Sequence, residues 1–120
     1  MSDKNKYFNR ITLLKIFDGD ELLVDDAINS FAETLPDLLN PWEKSFKIKD
    51  TLVLARSSHA LKGAVLAFGC DLLGVKLSKL DHLCRENKPW DEIKEAFHDC
   101  WAQIKILILE IKNWNFKRVS

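Results

Sequence analysis

The stretch DTLVLARSSHALKGAVLAFG, residues 50–69, decides how the rest of the chain is read. It opens on Asp50, whose carboxylate can accept the first free N–H groups of a helix, and closes on Gly69, a residue suited to the left-handed turn that ends one. No proline interrupts it and no alternation of apolar and polar residues marks a strand, so the spacing predicts a helix over residues 51–68. At 100° per residue, Leu54, Ser57, Ser58, Ala64, Val65 and Phe68 fall within roughly 60° of Leu61. This face is apolar, with small residues where a second helix can approach, and is read as buried.

The same period continues on both sides. Upstream, Val24, Ile28, Phe31, Leu35, Leu38 and Trp42 form one stripe, with Asp20 as N-cap and Pro36 predicting a kink or break. Before it, residues 7–17 read as a short first helix closed by Asp18-Gly19-Asp20. The turn Lys47-Ile48-Lys49-Asp50 leads into the helix quoted above. Downstream, Leu73, Leu77, Leu80 and Cys84 make a fourth stripe ending in Glu86-Asn87-Lys88-Pro89. Ile93, Phe97, Cys100, Ile104, Ile108 and Ile111 make a long last one, with Lys112, Lys117 and Arg118 favourable near its negative end. The fold class expected is all-α, an up-and-down four-helix bundle with a short extra N-terminal helix. Residues 1–120 are expected to be a single domain, with the bundle core over about residues 20–112.

Composition excludes several functions. The 120 residues are 47% hydrophobic and 30% charged, as in an ordinary globular domain. Eighteen basic and eighteen acidic side chains cancel, so neither nucleic acid nor a membrane is an expected partner. The start, Met1 to Lys6, has no apolar signal stretch, and no run is long enough to span a bilayer, which points to a cytoplasmic protein. Cys70, Cys84 and Cys100 fit neither a disulfide framework nor a zinc motif and read as reduced, buried thiols. His82 and His98 read as surface residues, and a zinc site built from them with Cys84 is not expected. The tryptophans Trp42, Trp90, Trp101 and Trp114 read as core and helix-end packing. No glycine-rich phosphate loop is present, so the chain has no visible means of using ATP.

The outer strip of the quoted helix is unlike a solvated surface. His59 lies about 160° from Leu61, and the same sector holds Leu52, Ala55, Arg56, Gly63, Leu66 and Cys70, with Lys62 at its edge. Water-facing strips are normally Lys, Glu, Gln and Ala. A mid-helix glycine costs about 1 kcal/mol relative to alanine, so Gly63 reads as clearance for another molecule. His59 with Lys62 three residues on supplies a nucleophilic imidazole beside a positive charge, a pair suited to a phosphoryl group.

Ser58-His59-Ala60-Leu61-Lys62-Gly63, with Gly69 ten residues after the histidine, resembles the signature of histidine phosphotransfer domains. The likeness extends weakly over residues 20–112, through Phe31 to Leu39 and Leu77-Ser78-Lys79-Leu80-Asp81. The resemblance implies a phosphocarrier, not an enzyme with its own catalytic cycle, that relays a phosphoryl group between receiver-domain aspartates of a two-component phosphorelay. His59 would be phosphorylated, Lys62 the charge partner and Gly63 the clearance position. Leu52, Ala55, Arg56, Leu66 and Cys70 would meet the partner. The implied partners are receiver domains of response regulators, a hybrid histidine kinase, or both, with the chain itself a monomer. No resident cofactor is implied, since a magnesium ion would come with the receiver. Two positions depart from the family pattern: Cys70, where alanine is frequent, and Asp81, where a neutral or longer polar residue is usual. Asp81 adds a negative charge near the histidine, which Arg85, one turn on, can neutralise. The competing expectation is a helical adaptor that binds a signalling partner through the same face without being phosphorylated.

Overall fold

Two aspartates set the starts of the helices that frame the molecule. In the computed structural model, which describes residues 5–119 and side chains through Trp114, the Asp20 carboxylate accepts from Leu23 N at 3.0 Å. Asp50 does the same for Val53 N at 3.1 Å. Behind these caps run α2 (Glu21–Lys47) and α3 (Thr51–Leu66), followed by α4 (Asp71–Arg85) and α5 (Trp90–Val119), while a short α1 (Arg10–Ile16) precedes them. The described residues are otherwise turns and loops. Short connections make successive helices antiparallel neighbours, and contacts between α2 and α3, α3 and α4, α4 and α5, and α5 and α2 close the ring. The all-α bundle with an extra N-terminal helix is as expected.

Each stripe faces one core. Leu54, Leu61 and Val65 of α3 meet Leu73, Leu77 and Leu80 of α4, Val24, Ile28 and Trp42 of α2, and Ile93, Cys100 and Ile104 of α5, all essentially without exposure. Two positions shift by one residue. Leu39, not Leu38, is buried on α2, and Leu107, not Ile108, on α5; the displaced residues are half-buried. Both members of each pair lie within the apolar arc, and the facing helix decides which is covered.

Two further expectations are corrected. Helix α2 is not broken at Pro36; it runs through Pro36 and Pro41 without interruption. Both prolines are exposed, so water can take the carbonyls whose helical donors they remove. The first helix starts at Arg10, capped by Asn9, and not at Tyr7. Tyr7 and Phe8 are buried ahead of it because the backbone N–H groups of Lys6, Tyr7 and Phe8 donate to the Glu110 carboxylate of α5, at 2.6, 2.8 and 2.8 Å. The Phe8 ring then sits 5.6 Å from Phe68 and 6.1 Å from Phe31, sealing the end of the bundle.

The turn after α3 positions the next helix. Gly69, at φ 73°, donates to Leu66 O while Cys70 N reaches Val65 O, the paired bonds of a glycine-terminated helix. Among the described residues no helix is long and apolar enough to cross a membrane. Of the basic residues expected at the end of α5, Lys117 and Arg118 lie outside the described side chains, as Met1 to Lys4 lie outside the described residues.

Candidate functional site

His59 stands at the middle of α3, and its side chain is 63% exposed. Helical phase puts it outside because Ser58, its neighbour, points inward. Ser58 is fully buried, and its hydroxyl accepts from Trp42 Nε1 at 3.0 Å. That bond fastens the inner side of α3 to α2 directly beneath the histidine.

On the outer side, Gly63 lies one turn beyond His59, and a Cβ added there would meet nothing within 4 Å. The backbone beside the imidazole is therefore open to approach. Lys62 is half-buried at the edge of this face, as its wheel position predicts, and Arg56 is exposed one turn before His59. Leu52 and Leu66 are 58% and 42% exposed, so the strip presents apolar side chains to water at both ends.

Two residues assigned to the strip do not belong to it. Ala55 is buried, because α4 covers the flank of α3 on which it lies; Ala55 shares a surface pocket with Cys84 and Arg85 but sits at its floor. Cys70 is buried as well, since α3 ends at Leu66 and the 100° step no longer applies beyond it. Burial pushes the thiols of Cys70 and Cys100 up to about 12 and that of Cys84 up to about 11. All three are free thiols, and these values make them poor nucleophiles, in keeping with the structural role expected of them.

Helix α4 supplies what the outer strip lacks. Asp81 is buried, 6% exposed, yet its carboxylate points toward α3: Oδ2 is 3.6 Å from His59 Nδ1, in ion-pair range and just beyond a hydrogen bond. Its other oxygen accepts from Arg85 Nε at 2.6 Å. The neutralisation expected between these two residues is thus present in the geometry. His59, Asp81 and Arg85 form one chain of contacts from the exposed imidazole to a half-exposed guanidinium.

Gly74 was missed by the sequence reading. It is buried on α4, and a Cβ there would lie 2.5 Å from Leu66 Cδ2, so Leu66 is laid directly over its backbone. A glycine inside a helix on its core-facing side is the signal that could have found it. His82 and His98 are exposed, as expected, with His98 edge-on to Phe46 and Phe97. No cluster of His, Cys, Asp or Glu suited to a metal ion occurs among the described residues.

The chain is similar to the phosphorelay intermediate protein rdeA of Dictyostelium discoideum, with 30% identity over 101 residues, covering 78% of this chain and 36% of that protein. The chain thus spans about a third of the length of the curated relative it matches. No family model matches it. No solved structure matches it either.

Proposed function

We propose that this chain is a histidine phosphotransfer module that accepts a phosphoryl group on His59 from the aspartyl phosphate of one receiver domain and returns it to the aspartate of another. The observation that carries this reading is the exposed imidazole at mid-helix beside the open backbone of Gly63. In the inward step a ring nitrogen of His59 attacks phosphorus, an N–P bond forms, the acyl P–O bond breaks, and the donor's aspartate carboxylate departs. The outward step reverses these bonds on a different receiver. The chain contributes position and charge, not a catalytic cycle of its own.

Lys62 is the charge partner of the phosphoryl oxygens in this reading, and Gly63 the clearance position through which the receiver's aspartate comes into line. Leu52, Arg56 and Leu66 form the docking strip. The magnesium ion that phosphoryl transfer requires would arrive on the receiver. Receiver domains of response regulators or of a hybrid histidine kinase are the partners, and the setting is cytoplasmic. The named relative supports the relay, since it is described as a phosphorelay intermediate.

The test is transfer of label. Purified chain mixed with a receiver domain phosphorylated on its aspartate is expected to take up acid-labile, base-stable label, the behaviour of a phosphoramidate. His59→Gln is expected to take up none while keeping wild-type helix content and melting temperature, because the side chain it replaces is mostly solvated. Binding of the receiver without any label on the wild type would favour the adaptor. Label that survives acid and not base would move the site to a serine.

A further inference from the structure

We propose that the groove between α2 and α5 captures the carboxyl terminus of a partner polypeptide whose last residue is large and apolar. The side chain of that residue lies along the groove, its carboxylate meets Lys112, and its backbone N–H donates to the carbonyl of Ala32. This site is separate from His59 and does not depend on the phosphotransfer reading.

Helices α2 and α5 make the loosest seam of the bundle, and a groove of about 260 Å³ opens between them. Leu35, Leu39, Ile108 and Ile111 line its floor. The core is less sealed here than elsewhere. Leu35, Leu39 and Ile111 keep 5–7% of their surface exposed, whereas the buried leucines of α3 and α4 keep at most 1%. On α2 the lining spans residues 32–39, about 10 Å at 1.5 Å per residue. That length takes the end of a chain, not the several turns of a docked helix.

Polar groups stand at one end of this groove only. Helix α5 runs antiparallel to α2: Trp114 Nε1 donates to Asp25 Oδ1 at 3.0 Å, and farther along the bundle the Trp42 and Phe97 rings stack at 4.1 Å. That register sets Ala32 and Lys112 at the same end of the groove and Leu39 at the other. Pro36 has no N–H, so the carbonyl of Ala32 lacks its helical donor, and both residues line the groove. Lys112 is exposed and has no ion-pair partner among the described residues. Helical side chains lean toward the start of their helix, which carries the Lys112 stem back toward Ile108 and the level of Ala32. Lys105, the preceding cation of α5, is instead drawn over the Trp101 ring at 5.7 Å.

These two polar groups select the occupant. Lys112 calls for an anion, and the Ala32 carbonyl calls for a donor close beside it. A fatty acid supplies the anion and an apolar tail but, once ionised, no donor. The last residue of a peptide supplies all three, because its N–H, its carboxylate and its side chain are attached to one carbon. Exposed Pro36 leaves the groove open at its wall, where the preceding residues of the peptide run out into water. Terminal carboxylates are recognised in this way by other folds. In the ring of helices the α2–α5 seam lies across from the α3–α4 seam, where His59 meets Asp81. A peptide held in the groove leaves His59 uncovered, so the site suits a tether that keeps the chain on a partner while its histidine face stays accessible.

Fluorescence anisotropy on the full chain tests this, with fluorescein-tagged Gly-Ser-Gly-Ser-Ala-Leu bearing a free carboxyl end as the probe. Saturable binding is expected, about tenfold weaker for the same peptide with an amidated end and for Lys112→Glu, since each removes a charge-assisted contact. Pro36→Ala is the sharper variant. It returns an N–H to α2, so the Ala32 carbonyl regains its helical donor; the melting temperature should rise while peptide binding weakens several-fold. His59→Gln should bind the peptide as the wild type does. Absence of saturable binding, equal binding of the amidated peptide, or undiminished binding by Lys112→Glu or Pro36→Ala overturns the proposal, as does lost binding by His59→Gln. Decanoate that displaces the peptide at equal concentration also overturns it, in favour of an acyl ligand. Uptake of label by His59 is measured separately, so its failure would remove the phosphotransfer reading and leave the groove standing.

Discussion

Two carboxylates in this molecule are equally buried, and they are used in opposite ways. Glu110 and Asp81 are each 6% exposed. Glu110 takes three backbone N–H groups of the segment ahead of α1, donors that cannot titrate, and two of them, on Tyr7 and Phe8, would otherwise be buried unpaired. Asp81 faces two side chains, both at least half exposed, one of which can change its charge. The first arrangement fixes the chain end onto the bundle. The second keeps a negative charge available to an exposed histidine. Burial alone therefore does not reveal what a carboxylate is for; the identity and exposure of its donors do.

The largest effect expected from this contrast is on stability. Glu110→Gln removes the charge from three hydrogen bonds and turns an acceptor into a donor, and should cost on the order of 3 kcal/mol. Asp81→Asn, whose partners can turn to water, should cost about 1 kcal/mol or less. Urea or thermal unfolding of the two variants side by side checks this, and equal losses would erase the distinction. A smaller effect separates the two sides of α3. Ser58→Ala orphans the Trp42 indole N–H in the core and should destabilise by about 1–3 kcal/mol, whereas replacing its exposed neighbour His59 should cost little. Indole fluorescence during unfolding would report it. The smallest effect is a gain. Gly63→Ala meets open space and should stabilise by about 0.5–1 kcal/mol, and Gly63→Gln should keep the melting temperature while losing most phosphoryl transfer. Wild-type transfer by Gly63→Gln would show that partners approach from another side.

Much of the frame was legible because it depends on local chemistry. Asp20, Asp50 and Gly69 act where the sequence puts them, since capping and left-handed turns involve only nearby backbone. The four stripes were legible for the same reason. What failed required knowledge of neighbours. Ala55 lies about 120° from Leu61, outside a 60° arc, yet α3 is flanked by two helices and buries a wider sector than a helix with one partner. Cys70 was placed by carrying a helical angle past Leu66, where α3 ends. The Glu110 clasp joins residues more than a hundred positions apart, and nothing in either local sequence announces it. At the candidate site, His59, Lys62 and Gly63 were legible on one helix, and Asp81 and Arg85 were noted one helix away. The 3.6 Å approach of Asp81 to the ring depends on how α3 and α4 are set against each other.

That setting depends on Gly74. Because α4 has no side chain there, Leu66 rests against its backbone while almost half of it remains exposed. An exposed leucine ordinarily samples several rotamers, and fixing it in a complex costs about 0.5–1 kcal/mol in side-chain entropy. Leu66 is already seated in one orientation in the free protein, its rotamer chosen by the groove that Gly74 leaves. A partner reaching this face meets a surface whose shape was ordered during folding, so little of the binding free energy is lost in ordering that side chain again.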